Sequence, residues 1–420
     1  MLVDLLATLQ HSIVFQAALV FFAAYPIVTS ILWVTTSVMF RLRWEPRNDE
    51  VAPPTGPLPS VSVLVPAHNE EAVIVRSVRA MLAMDYPEFE VIVIDDGSTD
   101  DTAGALGRLA GNPRLRIVRK VVNEGKAMAL NDALPLARGE VVLILDADAA
   151  PAPDLLRWMV PHFAAARVAA VTGNPRVRNT DTFLARLQAV EFTSIISLLR
   201  RSQRVWGRIV TVSGVVAAFR RSALFDVGGF SPNMPTEDIE VTWKLQRRFY
   251  DVRYEPNAVV WMTVPGSLRG LFKQRLRWAR GLMQVLRKHY GVLLDWRLRR
   301  MWPIFVESAL SILWAFCFVV LTSLWILSYA AGYPPVGASP IPNFWGMTIG
   351  TLCLAQLAIG TLVDRRYDRD IWRYFPYAVY YPIIYWALLA IATVLSLRYL
   401  FIKPPRQSVT WTTQRSGGAA

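Results

Sequence analysis

The amino-acid sequence predicts an α/β domain with a parallel-dominated sheet, flanked by transmembrane α-helices. Three observations carry that reading. Short apolar, β-branched runs alternate with helical patterns between residues 61 and 145, as in strands covered on both faces. Long stretches without Asp, Glu, Lys or Arg stand on either side, from Leu5 to Phe40 and from Ser308 to Val363. Of 420 residues, 53% are apolar and 18% charged, with a mean hydropathy of +0.31. Such values exclude a disordered chain and strain the reading of an ordinary soluble enzyme.

Residues 1–45 are expected to form one membrane span with surplus length at its outer end. Arg41, Arg43 and Arg47 close it and direct the following block to the cytoplasm by the positive-inside rule. No basic n-region or small-residue cleavage site marks it as a signal peptide, so it is expected to stay in the mature protein. A proline-rich linker, Ala52 to Pro59, opens the folded domain of residues 46–264. Strands are expected at Val61–Val65, Val91–Ile94, Leu115–Val118 and Val141–Leu145, with helices from Ala72 and from Lys126 to Ala137. Residues 265–300 hold ten Lys or Arg against one acid, Asp295. They read as a basic amphipathic interfacial segment, with Leu268, Leu271, Phe272, Leu276 and Leu282 on the apolar side. Residues 301–400 are expected to supply two to three spans, the first two joined by a turn through Gly332, Pro334, Pro335, Gly337, Pro340 and Pro342. Tyr374 to Leu397 is long enough for the third, although Pro376 and Pro382 also suit a re-entrant or interfacial segment. The side of the basic tail, 401–420, stays open: Lys403, Arg406 and Arg415 favour the inside, but three spans after the domain would put it outside. Cys317 and Cys353 are too few for a disulfide framework or a zinc site.

Open parallel sheets bind ligands beyond the C-terminal ends of their strands, and the polar clusters fall there. His68, Asn69 and Glu70 follow the first strand and can hydrogen-bond a base or ribose. Asp95 and Asp96 follow the second and suit a base N–H or a ribose hydroxyl. Lys126, beside Gly125, is a point charge for a diphosphate. Asp146 and Asp148 follow the fourth strand as oxygen ligands for Mg²⁺ or Mn²⁺. Taken singly each is weak: Asp95 reads first as a cap or turn residue, and the carboxylates of Thr236-Glu237-Asp238 also suit a helix start. Ser213-Gly214 sits in an apolar run ending at Arg220-Arg221, and Gln274 to Trp278 lies within the basic stretch. The net charge of +13 calls for an anionic partner. Arg200, Arg201, Arg204, Arg208, Arg220 and Arg221, with the ten basic residues of 265–300, carry that surplus. Lipid head groups and a diphosphate substrate account for it without nucleic acid.

In this order the motifs Pro66-Ala67-His68-Asn69-Glu70, Asp95-Asp96-Gly97-Ser98, Asp146-Ala147-Asp148, Thr236-Glu237-Asp238 and Gln274-Arg275-Leu276-Arg277-Trp278 resemble those of processive, membrane-bound family 2 glycosyltransferases. Within that group the chain is most similar to bacterial poly-β-1,6-N-acetyl-D-glucosamine synthases, through Val171 to Arg176, Glu191 to Ile196, Val212 to Leu224 and Trp243 to Gln246. The resemblance implies a Rossmann-like GT-A domain, a UDP-N-acetylglucosamine donor, Mg²⁺ or Mn²⁺, a growing polysaccharide and a multi-pass location in the bacterial inner membrane. It implies nucleotide-sugar contacts from His68, Glu70, Asp95, Asp96, Lys126, Asp146 and Arg277, with metal at Asp146 and Asp148. Asp238 would be the general base, with Glu237 beside it and Arg277 neutralising the leaving UDP. Trp278, Gln274 and Ser213 would hold the acceptor. Hyaluronan, chitin or cellulose-type products, and single transfer to a lipid carrier, are the alternatives. These synthases usually have two N-terminal spans, and one is found here. With only a short tail after Leu397, any control by cyclic di-GMP would come through a partner such as a small membrane subunit.

Overall fold

The computed structural model describes residues 2–45, 58–332, 344–402 and 408–410. The linker up to Pro57, the turn from Pro334 to Pro342, and Arg47, Lys403, Arg406 and Arg415 lie outside them. One eight-stranded sheet organises the domain, in the order β3-β2-β1-β4-β7-β6-β8-β5. Its strands are β1 (Val61–Ala67), β2 (Phe89–Asp96), β3 (Leu115–Lys120), β4 (Val141–Leu145), β5 (Ala150–Pro151), β6 (Val168–Val177), β7 (Val216–Arg220) and β8 (Asp251–Met262). β3, β2, β1 and β4 run parallel. β7 is antiparallel to β4 and to β6, and β8 runs parallel to β6.

The continuous apolar runs have a direct cause in the packing. Val61, Val63 and Val65 turn to one face, against Val78, Met81 and Leu155, while Leu64, Ile92 and Ile94 turn to the other, against Leu130 and Leu245. Each such side chain, buried, contributes about 1.5–3 kcal/mol of transfer free energy. Because β7 enters antiparallel to β4 with Val216 opposite Leu145, the Ser213-Gly214 turn arrives where β4 ends. That single topological feature brings two remote motifs to one edge.

Within the 36-residue uncharged run, the surplus length is a separate helix. α1 (Leu2–Gln10) stops before Ser12, whose hydroxyl accepts the Phe15 N–H at 3.2 Å and starts α2 (Ile13–Trp44). Helices α3 (Ile74–Leu82), α4 (Thr102–Gly107), α5 (Lys126–Ala133), α6 (Leu155–Met159), α7 (Phe183–Glu191), α8 (Leu198–Trp206), α9 (Arg221–Asp226) and α10 (Glu237–Arg247) belong to the sheet domain. α11 (Leu268–His289) leads to the apolar helices α12 (Trp302–Ala330) and α13 (Phe344–Asp364). Three described helices are long and apolar enough to cross a membrane: Ile13–Trp44, Trp296–Ala330 and Gly346–Asp364.

The apolar stretch after residue 370 is a broken helix: 3₁₀ from Ile371 to Tyr380, a π turn from Tyr381 to Tyr385, then α14 (Trp386–Ser396). Pro376 and Pro382 lie in the two irregular parts, where a missing N–H is tolerated. Both ends of the stretch touch the sheet domain and α11. The Tyr374 hydroxyl lies 2.9 Å from Thr180 Oγ1, and Ser396 Oγ donates to the Leu276 carbonyl at 3.5 Å. Its middle packs Trp386 edge-on against Trp314 of α12. The segment thus begins and ends beside the sheet domain and α11, and Val409 N–H donates to Pro232 O at 2.9 Å, so the described tail residues meet the sheet domain.

Two expectations about charge are corrected. The arginines of α8 and β7 do not wait for lipid. Arg201 is fully buried between Glu45, just after α2, and Asp364 of α13, at 2.5 and 2.7 Å, and Asp364 also takes Arg176 of β6 at 2.5 Å. Arg220 caps the Phe163 and Val168 carbonyls, and Arg221 that of Ala137. Much of the apolar side of α11 likewise faces protein: Leu271 and Phe272 pack in one cluster with Leu187 and Tyr385, while Leu268 stays exposed. Exposed apolar residues come just after it, Tyr290, Leu294 and Trp296, beside Arg297, Arg299 and Arg300.

Candidate active site

The site is built on the edge where β1, β2 and β4 end and β7 begins. His68 follows β1; its Nδ1 lies 2.9 Å from Asp96 O, while Asn123 Nδ2 reaches its Nε2 at 3.1 Å. That arrangement assigns the proton to Nδ1, with Nε2 as the acceptor. Asn69 takes a left-handed φ of 56°, and its Oδ1 receives the Thr99 N–H at 2.8 Å, locking the β1 loop to the β2 loop. Glu70 is buried beside it, its backbone N–H held by Thr102 Oγ1 at 2.8 Å.

The two aspartates after β2 have different duties. Asp95 Oδ1 accepts the Ser98 N–H at 3.1 Å, the turn role its sequence context suggests. Asp96 is fully buried and accepts the backbone N–H groups of Glu124 and Gly125, at 3.2 and 2.7 Å. Lys120, 3.2 Å away, neutralises it and is shared with Glu124 and Asp132. Asp96 therefore shapes the turn that presents Lys126. Gly125 within that turn has φ +89°, and any side chain there would strike the Val409 carbonyl of the tail.

Lys126 is the hub of the charged centre. Its Nζ donates to Asp146 Oδ1 at 2.7 Å and Gly214 O at 2.8 Å, with Glu237 Oε1 at 3.3 Å. Burial disfavours its charge, but Asp146 and Glu237 outweigh that and hold the ammonium above its usual range. Asp238 opens into the same pocket, lined also by Ser213, Gly214, Val212 and Phe230. Burial and the adjacent Glu237 charge push the Asp238 carboxyl up to about 6, against the pull of Lys126 and Arg277. Gly214 leaves room for Asp238: a Cβ would lie 3.0 Å from Asp238 Oδ2 and push that carboxylate aside by a few tenths of an ångström. Ser213 turns its hydroxyl to the Val215 N–H at 3.3 Å, so its first duty is to shape this turn.

α11 covers the centre. Arg277 Nη1 donates to Pro235 O at 3.2 Å, and Thr236 packs so close to Gly281 that a Cβ there would lie 2.0 Å from its Oγ1. Trp278 carries the Arg275 guanidinium over its ring at 4.2 Å, and Arg275 pairs with buried Glu191 at 2.5 Å. Gln274 Oε1 is buried without a hydrogen-bond partner among the described residues. Asp148 is buried after β4; no group of three or more His, Cys, Asp or Glu that could hold a metal ion occurs among the described residues. The sequence reading thus has its residues gathered in two adjoining clusters, His68–Asp96 and Lys126–Asp238, with α11 above. It misses Asn123, Lys120, the Glu191–Arg275 pair and the tail contact, none of which carries a local signal.

Comparison with known proteins follows the same outline. The profile of the family described as "Glycosyltransferase like family 2" matches residues 59–281. The chain is 33% identical over 407 residues to a poly-beta-1,6-N-acetyl-D-glucosamine synthase of Staphylococcus epidermidis, covering 94% of this chain and 98% of that one. A synthase of the same name from Staphylococcus aureus is 32% identical over 405 residues, with the same coverage. Among solved structures, the mannosyltransferase PcManGT of Pyrobaculum calidifontis, in complex with GDP-Man and Mn²⁺, superposes with a TM-score of 0.62 at 26% identity. It covers 90% of this chain and 99% of its own. With the profile spanning the whole sheet domain and the likeness to the synthases running nearly end to end, the chain belongs to glycosyltransferase-like family 2.

Proposed function

We propose that this protein is a processive, inverting glycosyltransferase that polymerises N-acetylglucosamine from UDP-N-acetylglucosamine into poly-β-1,6-N-acetyl-D-glucosamine, a biofilm exopolysaccharide. The observation that carries it is the convergence of Lys126, Asp146, Glu237 and Asp238 around the Ser213-Gly214 turn, under Arg277 and Trp278. The relatives' names supply the sugar and the linkage.

In this reading His68, Glu70, Asp95 and Asp96 border the uridine subsite, with Asp95 and Asp96 acting through the turns they hold. Asp238 takes the proton from the acceptor hydroxyl; a carboxyl titrating at about 6 is ionised at neutral pH yet basic enough to accept it. Glu237 keeps Lys126 in place, and Lys126 and Arg277 stabilise the negative charge that grows on the departing diphosphate. The donor set fits Mg²⁺ or Mn²⁺: Asp146 and Asp148 offer hard oxygens, too few for an all-protein cage, which leaves positions for a diphosphate and water. When bound, that ion supplies Lewis acidity for the leaving UDP. Trp278, held flat by Arg275, gives the acceptor sugar a stacking face, and the free Gln274 Oε1 gives it a hydrogen-bond acceptor.

The proposal places the chain in the bacterial inner membrane with the sheet domain in the cytoplasm, passing the polymer across the bilayer. It includes a small membrane subunit, with cyclic di-GMP acting at that interface. Purified protein in nanodiscs should release UDP from UDP-N-acetylglucosamine and build long chains. Release of free N-acetylglucosamine or single-sugar lipid products alone would remove processivity. Turnover of GDP-mannose in its place would move the donor toward the PcManGT type.

A further inference from the structure

A carboxylate without a cation stands inside the membrane-crossing part of the fold. Glu307 of α12 accepts a hydrogen bond from Tyr25 of α2 at 3.4 Å, its only hydrogen-bond partner among the described residues. No Lys, Arg or His among them pairs with it. Beside it lies a small pocket between α2, α8 and α12, walled by Trp33, Trp206, Leu199, Ser202, Gln203 and Ile304, with exposed Pro303 at its rim. The space suits about one water-sized group. Ser202 is occupied by Thr36 at 2.7 Å, and Gln203 Oε1 by the Val210 N–H at 3.0 Å, so Glu307 is the one ionisable group facing the space.

A carboxylate at membrane depth is costly and marks a binding or transport role. Trp33 and Trp206 both line the space beside it, and indole is the aromatic ring that attracts a cation best. Depth narrows the choice. Glu307 lies about 8 Å along α12 from Trp302, and Trp206 ends α8, so the pocket sits at the end of the span next to the sheet domain. Just before α12, Arg297, Arg299 and Arg300 are all exposed, an edge that favours a phosphate. From these features the geometry points to a binding site for the primary ammonium head group of a zwitterionic phospholipid of the phosphatidylethanolamine type, with Glu307 as its counter-ion. The size of the pocket excludes the trimethylated head group of phosphatidylcholine.

The test is native mass spectrometry of the full-length protein released from nanodiscs of mixed phosphatidylethanolamine, phosphatidylcholine and phosphatidylglycerol. Wild type should retain the ethanolamine lipid at least tenfold over the choline lipid. Glu307→Gln should lose that preference while retaining phosphatidylglycerol as before, and Trp33→Leu should weaken it several-fold. Circular dichroism and size-exclusion profiles that match wild type exclude misfolding as the cause; if Glu307→Gln misfolds, Trp33→Leu carries the test. Unchanged preference in folded variants overturns the proposal. So does loss in Glu307→Gln of a co-purifying polypeptide rather than of lipid, which would assign the pocket to a partner helix.

Discussion

Replacing Asp238 by Asn tests the base and its environment together. The carboxyl sits at about 6 in the folded protein against an ordinary 3.8. At about 1.4 kcal/mol per unit, the ionised form costs the fold about 3 kcal/mol. The side chain keeps one edge open to the pocket, and water there trims the cost to about 2 kcal/mol. The sign is fixed by linkage: a carboxyl with a raised folded pKa binds more protons folded than unfolded between pH 4 and 6, so its contribution to stability falls over that window. Asn imitates the neutral acid. Asp238→Asn should therefore gain nothing at pH 4 and about 2 kcal/mol at pH 7.5, read as a rise of a few degrees in the melting transition in detergent. Transfer should fall by at least a hundredfold, while UDP binding by calorimetry stays within about threefold of wild type. In the wild type, kcat/KM should be flat above pH 7 and fall tenfold per unit below about 6. A variant that is less stable at pH 7.5, or that polymerises at more than a tenth of the wild-type rate, would refute this account of the site.

Other perturbations read different parts of the architecture. Arg275→Met strands Glu191 and uncovers Trp278; it should cost about 3–5 kcal/mol in stability and raise the concentration of primer oligosaccharide needed for half-maximal rate more than the KM for donor. Asp364→Asn leaves Arg176 and Arg201 underpaired between α13, β6 and α8, and should cost about 3–5 kcal/mol by denaturant titration. Gly281→Ala drives a methyl into Thr236 and should lower kcat at least tenfold, with Thr236→Ala, which removes the clashing hydroxyl, restoring part of it. Chelation should abolish UDP release and Mn²⁺ restore it, whereas Asp148→Ala should need far more Mn²⁺ or fail outright.

Legibility in the sequence followed burial. The parallel strands β1, β2 and β4 were readable because both their faces are covered, which leaves Val63–Val65, Val91–Ile94 and Val141–Leu145 continuously apolar. β6 and β8 were not, since Gly173, Pro175 and Pro256 interrupt them and register shifts near Thr172 break their periodicity; their pairing with one another makes them strands. Motifs at strand ends located the site, because chain topology alone brings them to one edge. Partners of charged residues stayed hidden: Arg201 reads as a membrane-facing cation until Glu45 and Asp364, remote in sequence, are seen on it. Asp96 reads as a ligand for uridine, and its hold on two backbone N–H groups of the Lys126 turn carries no signal in the sequence. That residues 371–400 begin and end against the sheet domain and α11 could not be read from apolar length, which by itself suits a span equally well.

The central claim is a β-1,6-linked N-acetylglucosamine polymer made from UDP-N-acetylglucosamine. Radiolabelled polymer from the purified, metal-loaded protein should be degraded by a β-1,6-specific N-acetylglucosaminidase and resist both chitinase and hyaluronidase. Resistance to the β-1,6 enzyme with digestion by chitinase would contradict it.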